Sequence, residues 1–200
     1  MGEPARKYIS FEQYLAEEEL SEEKHEYIDG VALAMSGGTI RHSGLKLRLT
    51  ANFEAQLQGR PCRPFDSDAR VRVLATGLAT YPDMSVVCGR IQTDPANKHT
   101  LTNPILVAEV LSPKTERYDR GEKFAQYRKI PSLQHSLLLP TSTPRIEHYQ
   151  RDANGNWTLR TAGPRETLTI ADLGVTLDVD KLYAPVPGVD DEFDDESEET

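Results

Sequence analysis

The chain has little cysteine: two in 200 residues, Cys62 and Cys88. Two are too few for a disulfide framework and they lack C-x-x-C metal spacing, so the expectation is a pair of buried reduced thiols without a function. No apolar run approaches the roughly 20 residues that cross a bilayer. The first residues, with Glu3, Arg6 and Lys7 ahead of Tyr8-Ile9, lack the apolar stretch of a signal peptide. The expectation is a cytoplasmic protein with no membrane partner. His25, His99, His135 and His148 show no i, i+4 pair or common ligand spacing, which argues against a zinc site. There is no internal repeat.

Positive charge is also in deficit. A formal net charge of -9 argues at first against a nucleic-acid partner, because Lys and Arg supply most of the non-specific affinity for phosphate. The deficit is concentrated at the end, in Asp190, Asp191, Glu192, Asp194, Asp195, Glu196, Glu198 and Glu199; removing those eight charges from -9 leaves -1 for residues 1–189. The expected organisation is a single domain over 1–188 and an acidic disordered tail over 189–200, where like charge is dense and little can be buried.

What is present is an alternation of helix and strand patterns. Tyr8, Phe11, Tyr14 and Leu15 repeat at three and four, and Ser10 with Gln13 forms a capping-box pattern, predicting a helix over 8–20. Asp29-Gly30 between apolar runs predicts a hairpin over 25–36. Residues 40–58 read as a helix ended by Gly59-Arg60-Pro61. Asp68 to Val73 and Tyr81 to Val87 are expected to pair as antiparallel strands across the Gly77 turn. Ile105 to Leu111 reads as a buried central strand, 116–129 as a helix, and Ser136 to Leu139 as a strand. Residues 144–161 read as a hairpin around Asn154-Gly155, with a closing segment at 166–183. This order predicts an α/β fold, a mixed sheet flanked by helices.

Two carboxylates stand where apolar residues are expected. Glu109 lies between Ala108 and Val110, where an unpaired charge would cost several kcal/mol. It requires a buried Arg or Lys such as Arg70 or Arg72, a proton, or a metal ion. Asp83, after Pro82 and before Met84-Ser85-Val86-Val87, is similarly placed. Neighbouring strands would bring the two within about 5 Å, and a cation between them would relieve their repulsion. One or two carboxylates completed by water and phosphate suit Mg²⁺.

Pro82-Asp83 followed by Glu109-Val110-Leu111-Ser112-Pro113 resembles the PD-(D/E)-x-K signature in the variant carried by the Uma family of restriction-endonuclease-like proteins. Glu26-Tyr27-Ile28-Asp29-Gly30, His42, Asp119, Gly121-Glu122-Lys123 and Tyr127 extend the resemblance over roughly residues 8–150. The resemblance implies a restriction-endonuclease core. It also implies Asp83 and Glu109 as metal ligands, with Glu26, on an early helix or its end, as a third acid. Mg²⁺, for which Mn²⁺ substitutes, would be the cofactor, DNA the substrate, and a homodimer the assembly. The signature's lysine position holds Leu111. The resemblance therefore points to Lys123 as the displaced lysine, with an exposed helix lysine as the alternative.

The resulting expectation is a Mg²⁺-dependent endonuclease using Asp83, Glu109, Lys123 and Glu26. The alternative is a catalytically inactive module of the same fold that binds nucleic acid or protein. Asp68 is expected at an exposed strand end. Over residues 114–129 six Lys and Arg face three carboxylates, which suits either a phosphodiester backbone or a solvated helix face.

Overall fold

A computed structural model describes residues 7–35 and 37–189. The tail expected over 189–200 thus lies, but for Val189, outside the described residues. Helix α1 (Phe11–Glu18) is capped by Ser10, whose side chain accepts from Gln13 N while Gln13 returns the bond. Strands β1 (His25–Ile28) and β2 (Val31–Ala34) pair antiparallel across a turn in which Asp29 and Gly30 both have positive φ, 48° and 83°, the requirement that favours Asp-Gly there. Helix α2 (Ile40–Leu57) buries Leu45, Leu49, Phe53 and Leu57, spaced at four.

The middle of the chain supplies β3 (Cys62–Asp66), β4 (Arg70–Arg72), β5 (Ala79–Thr80), β6 (Met84–Cys88), β7 (Thr93–Asp94), β8 (Asn97–Leu101) and β9 (Leu106–Leu111). A helical run follows as α3 (Glu116–Tyr118), a π segment (Asp119–Lys123) and α4 (Phe124–Tyr127). Then come β10 (His135–Pro140), β11 (Ile146–Arg151), β12 (Trp157–Ala162), β13 (Thr167–Ile170), β14 (Val175–Asp178) and α5 (Val179–Leu182).

The strands form two six-stranded sheets, β2-β1-β5-β4-β8-β7 and β12-β11-β10-β9-β6-β3, with β13 and β14 as a separate pair. The second sheet is mixed, because β9 pairs parallel with β10 and antiparallel with β6. Alternation along β9 divides its side chains. Leu106, Ala108 and Val110 join the core under α2, β13 and β14, whereas Val107 joins the core against β4. Glu109, two residues from Val107, faces the second side, toward the first sheet.

Three expectations are corrected. Asp68–Val73 and Tyr81–Val87 do not pair as neighbours: β4 pairs with β5, and β6 with β3 in the other sheet. The chain crosses between sheets at Tyr81-Pro82-Asp83, and Pro82 favours that break because it cannot donate to a ladder. Cys62 and Cys88 are not buried reduced thiols; they are half-buried and joined as a disulfide. Counting cysteines missed this because strand register, Cys62 opposite Cys88, brings them together. The helix expected over 116–129 ends at Tyr127 and widens to π over Asp119–Lys123. Among the described residues no helix is long and apolar enough to cross a membrane.

Candidate active site

A cavity of about 330 Å³ opens where the two sheets meet, lined by Glu26, Asp83, Glu109, Asp119 and Lys123 among others. Glu109 is brought there by β9, with 5 % of its surface exposed. Asp83 precedes β6, one residue beyond the paired Met84 and Ala108, which sets it beside Glu109. Its Oδ2 accepts the Val110 N–H at 2.8 Å and lies 3.4 Å from His42 Nε2, so the second sheet's own backbone fixes this carboxylate. Glu26 sits on β1, buried, and accepts a short hydrogen bond from the Thr80 hydroxyl. The expected place for Glu26, an early helix or its end, is therefore corrected: it lies within the hairpin expected over 25–36. Strand alternation turns it inward while Lys24 pairs outside with the exposed Asp68.

Lys123 joins these groups. The π segment turns Asp119 and Lys123 to the interior, and a π turn of this kind is frequent at functional sites. Lys123 Nζ lies 2.9 Å from Glu26 Oε1, 3.0 Å from Glu109 Oε1 and 3.6 Å from Asp119 Oδ1. It is buried, so the reading of an exposed helix lysine does not hold. Neither arginine considered for Glu109 serves it: Arg70 bonds Thr100 and Tyr81, and Arg72 bonds Asp94. Leu111, at the signature's lysine position, is buried. Tyr127 donates its hydroxyl hydrogen to Glu109 Oε1 at 2.7 Å.

The charge balance of the cavity is negative. Burial, with Asp83 and Asp119 nearby, pushes the Glu109 carboxyl up to about 8 against the opposing pull of Lys123 and Tyr127. Burial likewise raises Asp119, partly offset by Lys123. For Lys123 burial acts against the ammonium, but Glu109, Tyr127, Glu26 and Asp119 outweigh it and hold the pKa well above the ordinary value. The cavity thus gathers four carboxyl groups with one ammonium and one imidazole, His42, and the carboxyl oxygens suit a hard divalent cation. Among the described residues no three His, Cys, Asp or Glu side chains are gathered closely enough to hold a metal by themselves. The ammonium stands between Glu26 and Glu109, and the cation that suits the set is one that takes one or two carboxylates and completes its shell with water and phosphate.

The sequence reading named Asp83, Glu109, Glu26 and Lys123, and the fold brings all four to this cavity. Asp119 and Tyr127 enter from the sequence only as parts of the family pattern, without a role at the site, and Thr80 does not enter at all. The signal for two of them was available: Asp119, Lys123 and Tyr127 recur every four residues, which aligns them on one helix face. Thr80 left no such signal, since its contact with Glu26 spans 54 residues.

A mixed sheet carrying buried acids beside a lysine defines this as a protein of the restriction-endonuclease-like class. The family model described as "Uma2: Putative restriction endonuclease" matches residues 11–180, and the chain belongs to that family. Two proteins of Synechocystis sp. are similar to it, both described only as uncharacterized. One, slr1290, is 38 % identical over 178 residues, 88 % of this chain and 91 % of that one. The other, sll1609, is 33 % identical over 153 residues, 76 % of this chain and 86 % of that one. A crystal structure from Anabaena variabilis, titled a "putative nuclease belonging to DUF820", superposes with a TM-score of 0.68 over 82 % of this chain and 92 % of its own. At 18 % identity, that likeness speaks for the fold alone.

Proposed function

We propose that the protein is a Mg²⁺-dependent endonuclease that hydrolyses DNA phosphodiester bonds, with Asp83 and Glu109 holding the ion and Glu26 as the third acid. The observation that carries this reading is the excess of buried carboxyl groups around Lys123 in an open cavity. A bound divalent ion supplies Lewis acidity toward the phosphate and lowers the pKa of water. The protein's own groups do the rest. Lys123 donates hydrogen bonds to a non-bridging phosphate oxygen and stabilises charge gathering there, while Glu26 and Glu109 orient its ammonium. In the hydrolysis, a water oxygen bonds to phosphorus as one ester P–O bond breaks. A carboxylate takes the water's proton and the departing oxygen is protonated from solvent. Lys114 and Arg117 are exposed next to Thr115 and Tyr118, which line the cavity, and so offer contacts to the DNA backbone.

Plasmid nicking tests the reading: the protein with Mg²⁺ or Mn²⁺ should open supercoiled DNA, and Asp83→Asn should not. Leu111 at the signature's lysine position favours a second reading, a module that binds nucleic acid or protein without cutting. Saturable metal binding without nicking is the result that would select it.

A further inference from the structure

Tyr127 is buried to 1 % exposure on α4, its ring packed in the apolar cluster of Val71, Val107, Ile130 and Leu133. A phenylalanine ring would fill that space equally well. Burying a hydroxyl in such a setting costs free energy unless it is hydrogen-bonded, and this one is bonded to Glu109 Oε1 at 2.7 Å. Lys123 Nζ approaches the same oxygen at 3.0 Å. Both donors therefore fall on Oε1, leaving Oε2 as the oxygen available to an incoming cation. The terminal torsion of a glutamate is broad, so a hydrogen bond from a ring held in the core limits how far the carboxylate can turn.

We infer that Tyr127 is a positioning residue that locks the Glu109 carboxylate with one oxygen committed to the protein and the other presented to a divalent cation. The inference rests on the reading that Glu109 holds such a cation. Lys123 cannot do this alone, because its ammonium is shared with Glu26 at 2.9 Å and rides on a flexible stem. The phenol is rigid, its ring is held by the core and does not line the cavity, and it reaches Glu109 through its hydroxyl oxygen.

The test is calorimetric titration of Mn²⁺ into the full chain, wild type against Tyr127→Phe, beside melting curves taken without metal. The expected result is a Mn²⁺ Kd weakened about tenfold or more, the usual range for losing a partner that orients a metal ligand. The metal-free melting temperature of the variant should be unchanged or higher. Nicking by the variant should lose kcat with little change in KM for plasmid. An unchanged Mn²⁺ Kd in Tyr127→Phe would overturn the inference. So would loss of cooperative unfolding in that variant, since the hydroxyl would then belong to the fold. Absence of Mn²⁺ binding in the wild type would overturn the metal reading itself, and this inference with it.

Discussion

The two faces of the β9–β10–β11 sheet each carry a cluster of polar side chains with buried members, and the clusters are built on opposite rules. On the α2 face His135, His148 and Arg160 join Asp172, from the loop between β13 and β14. Arg160 Nη2 lies 3.3 Å from His148 Nδ1, His148 Nε2 lies 3.0 Å from His135 Nδ1, and His135 Nε2 lies 2.8 Å from Asp172 Oδ2. A guanidinium only donates, so His148 accepts at Nδ1, donates from Nε2 to His135, and His135 donates to Asp172. Every ring nitrogen is used with both imidazoles neutral. The other face sets Glu26, Glu109 and Asp119 around one ammonium, with Asp83 beside Glu109 and His42 in the same cavity. A hydrogen-bond chain that satisfies two buried imidazoles is a structural element, whereas an unbalanced charge set facing a cavity is a candidate site.

The largest effect should come from the unbalanced side. Asp83→Asn and Glu109→Gln each remove a proposed ligand and relieve repulsion, so each should abolish the rise in melting temperature that millimolar Mn²⁺ gives the wild type. The metal-free fold should persist or gain stability. Collapse of Glu109→Gln in the absence of metal would instead make Glu109 a structural ion-pair partner.

Lys123→Met should be next. Removing the ammonium strands buried carboxylates, a change that costs about 3–5 kcal/mol when one partner of a buried pair is lost, measurable by urea unfolding without metal. The Mn²⁺-induced stabilisation should grow in the same variant, because the cation no longer meets a like charge. Nicking should fall on the order of a hundredfold, as for other single donors to a transition state. A variant as stable as wild type, with wild-type nicking, would return the lysine to a passive role.

The histidine side should respond to acid. Burial, His135 and Arg160 lower the His148 pKa to about 4; burial also lowers His135, with Asp172 opposing. A His whose folded pKa lies below its unfolded value binds fewer protons folded than unfolded. Its contribution to stability is therefore complete above about 6.5 and is lost as pH falls toward 4, on the order of 3 kcal/mol in all. Urea midpoints between pH 7 and 4.5 should show this slope in wild type and a shallower one in His148→Gln; parallel slopes would remove the pair from the acid response.

Asp172→Asn should matter least. The Asp172 side chain is half exposed and a carboxamide oxygen still accepts from His135, so stability should drop by about 1 kcal/mol or less. A large loss would mean that the charge at the end of the chain, and not its hydrogen bond, stabilises the histidines.

The sequence made the acidic side more legible than the histidine side. Glu109 stood out because a carboxylate interrupted an apolar run, and Asp83 because it followed Pro82 at a strand entrance. Lys123 was found through family resemblance and the gap left by Leu111. The histidines gave no local sign: His135 and His148 are 13 residues apart on separate strands, and strand register makes them neighbours. The same cause hid the Cys62–Cys88 pair and the division of the strands between two sheets. Hairpins and capped helices, whose signals are local, were read correctly at Asp29-Gly30 and Ser10. Of the contacts that depend on which strand lies beside which, the neighbouring strands of Asp83 and Glu109 were legible, and the disulfide, the histidine pair and the division into two sheets were not.

A crystal of the full chain soaked in Mn²⁺, with the anomalous signal of the metal recorded, bears most directly on the central claim. The account predicts one strong peak within coordination distance of Asp83 and Glu109 and none beside His135 and His148. An empty acidic cavity, or a peak at the histidines instead, would contradict it.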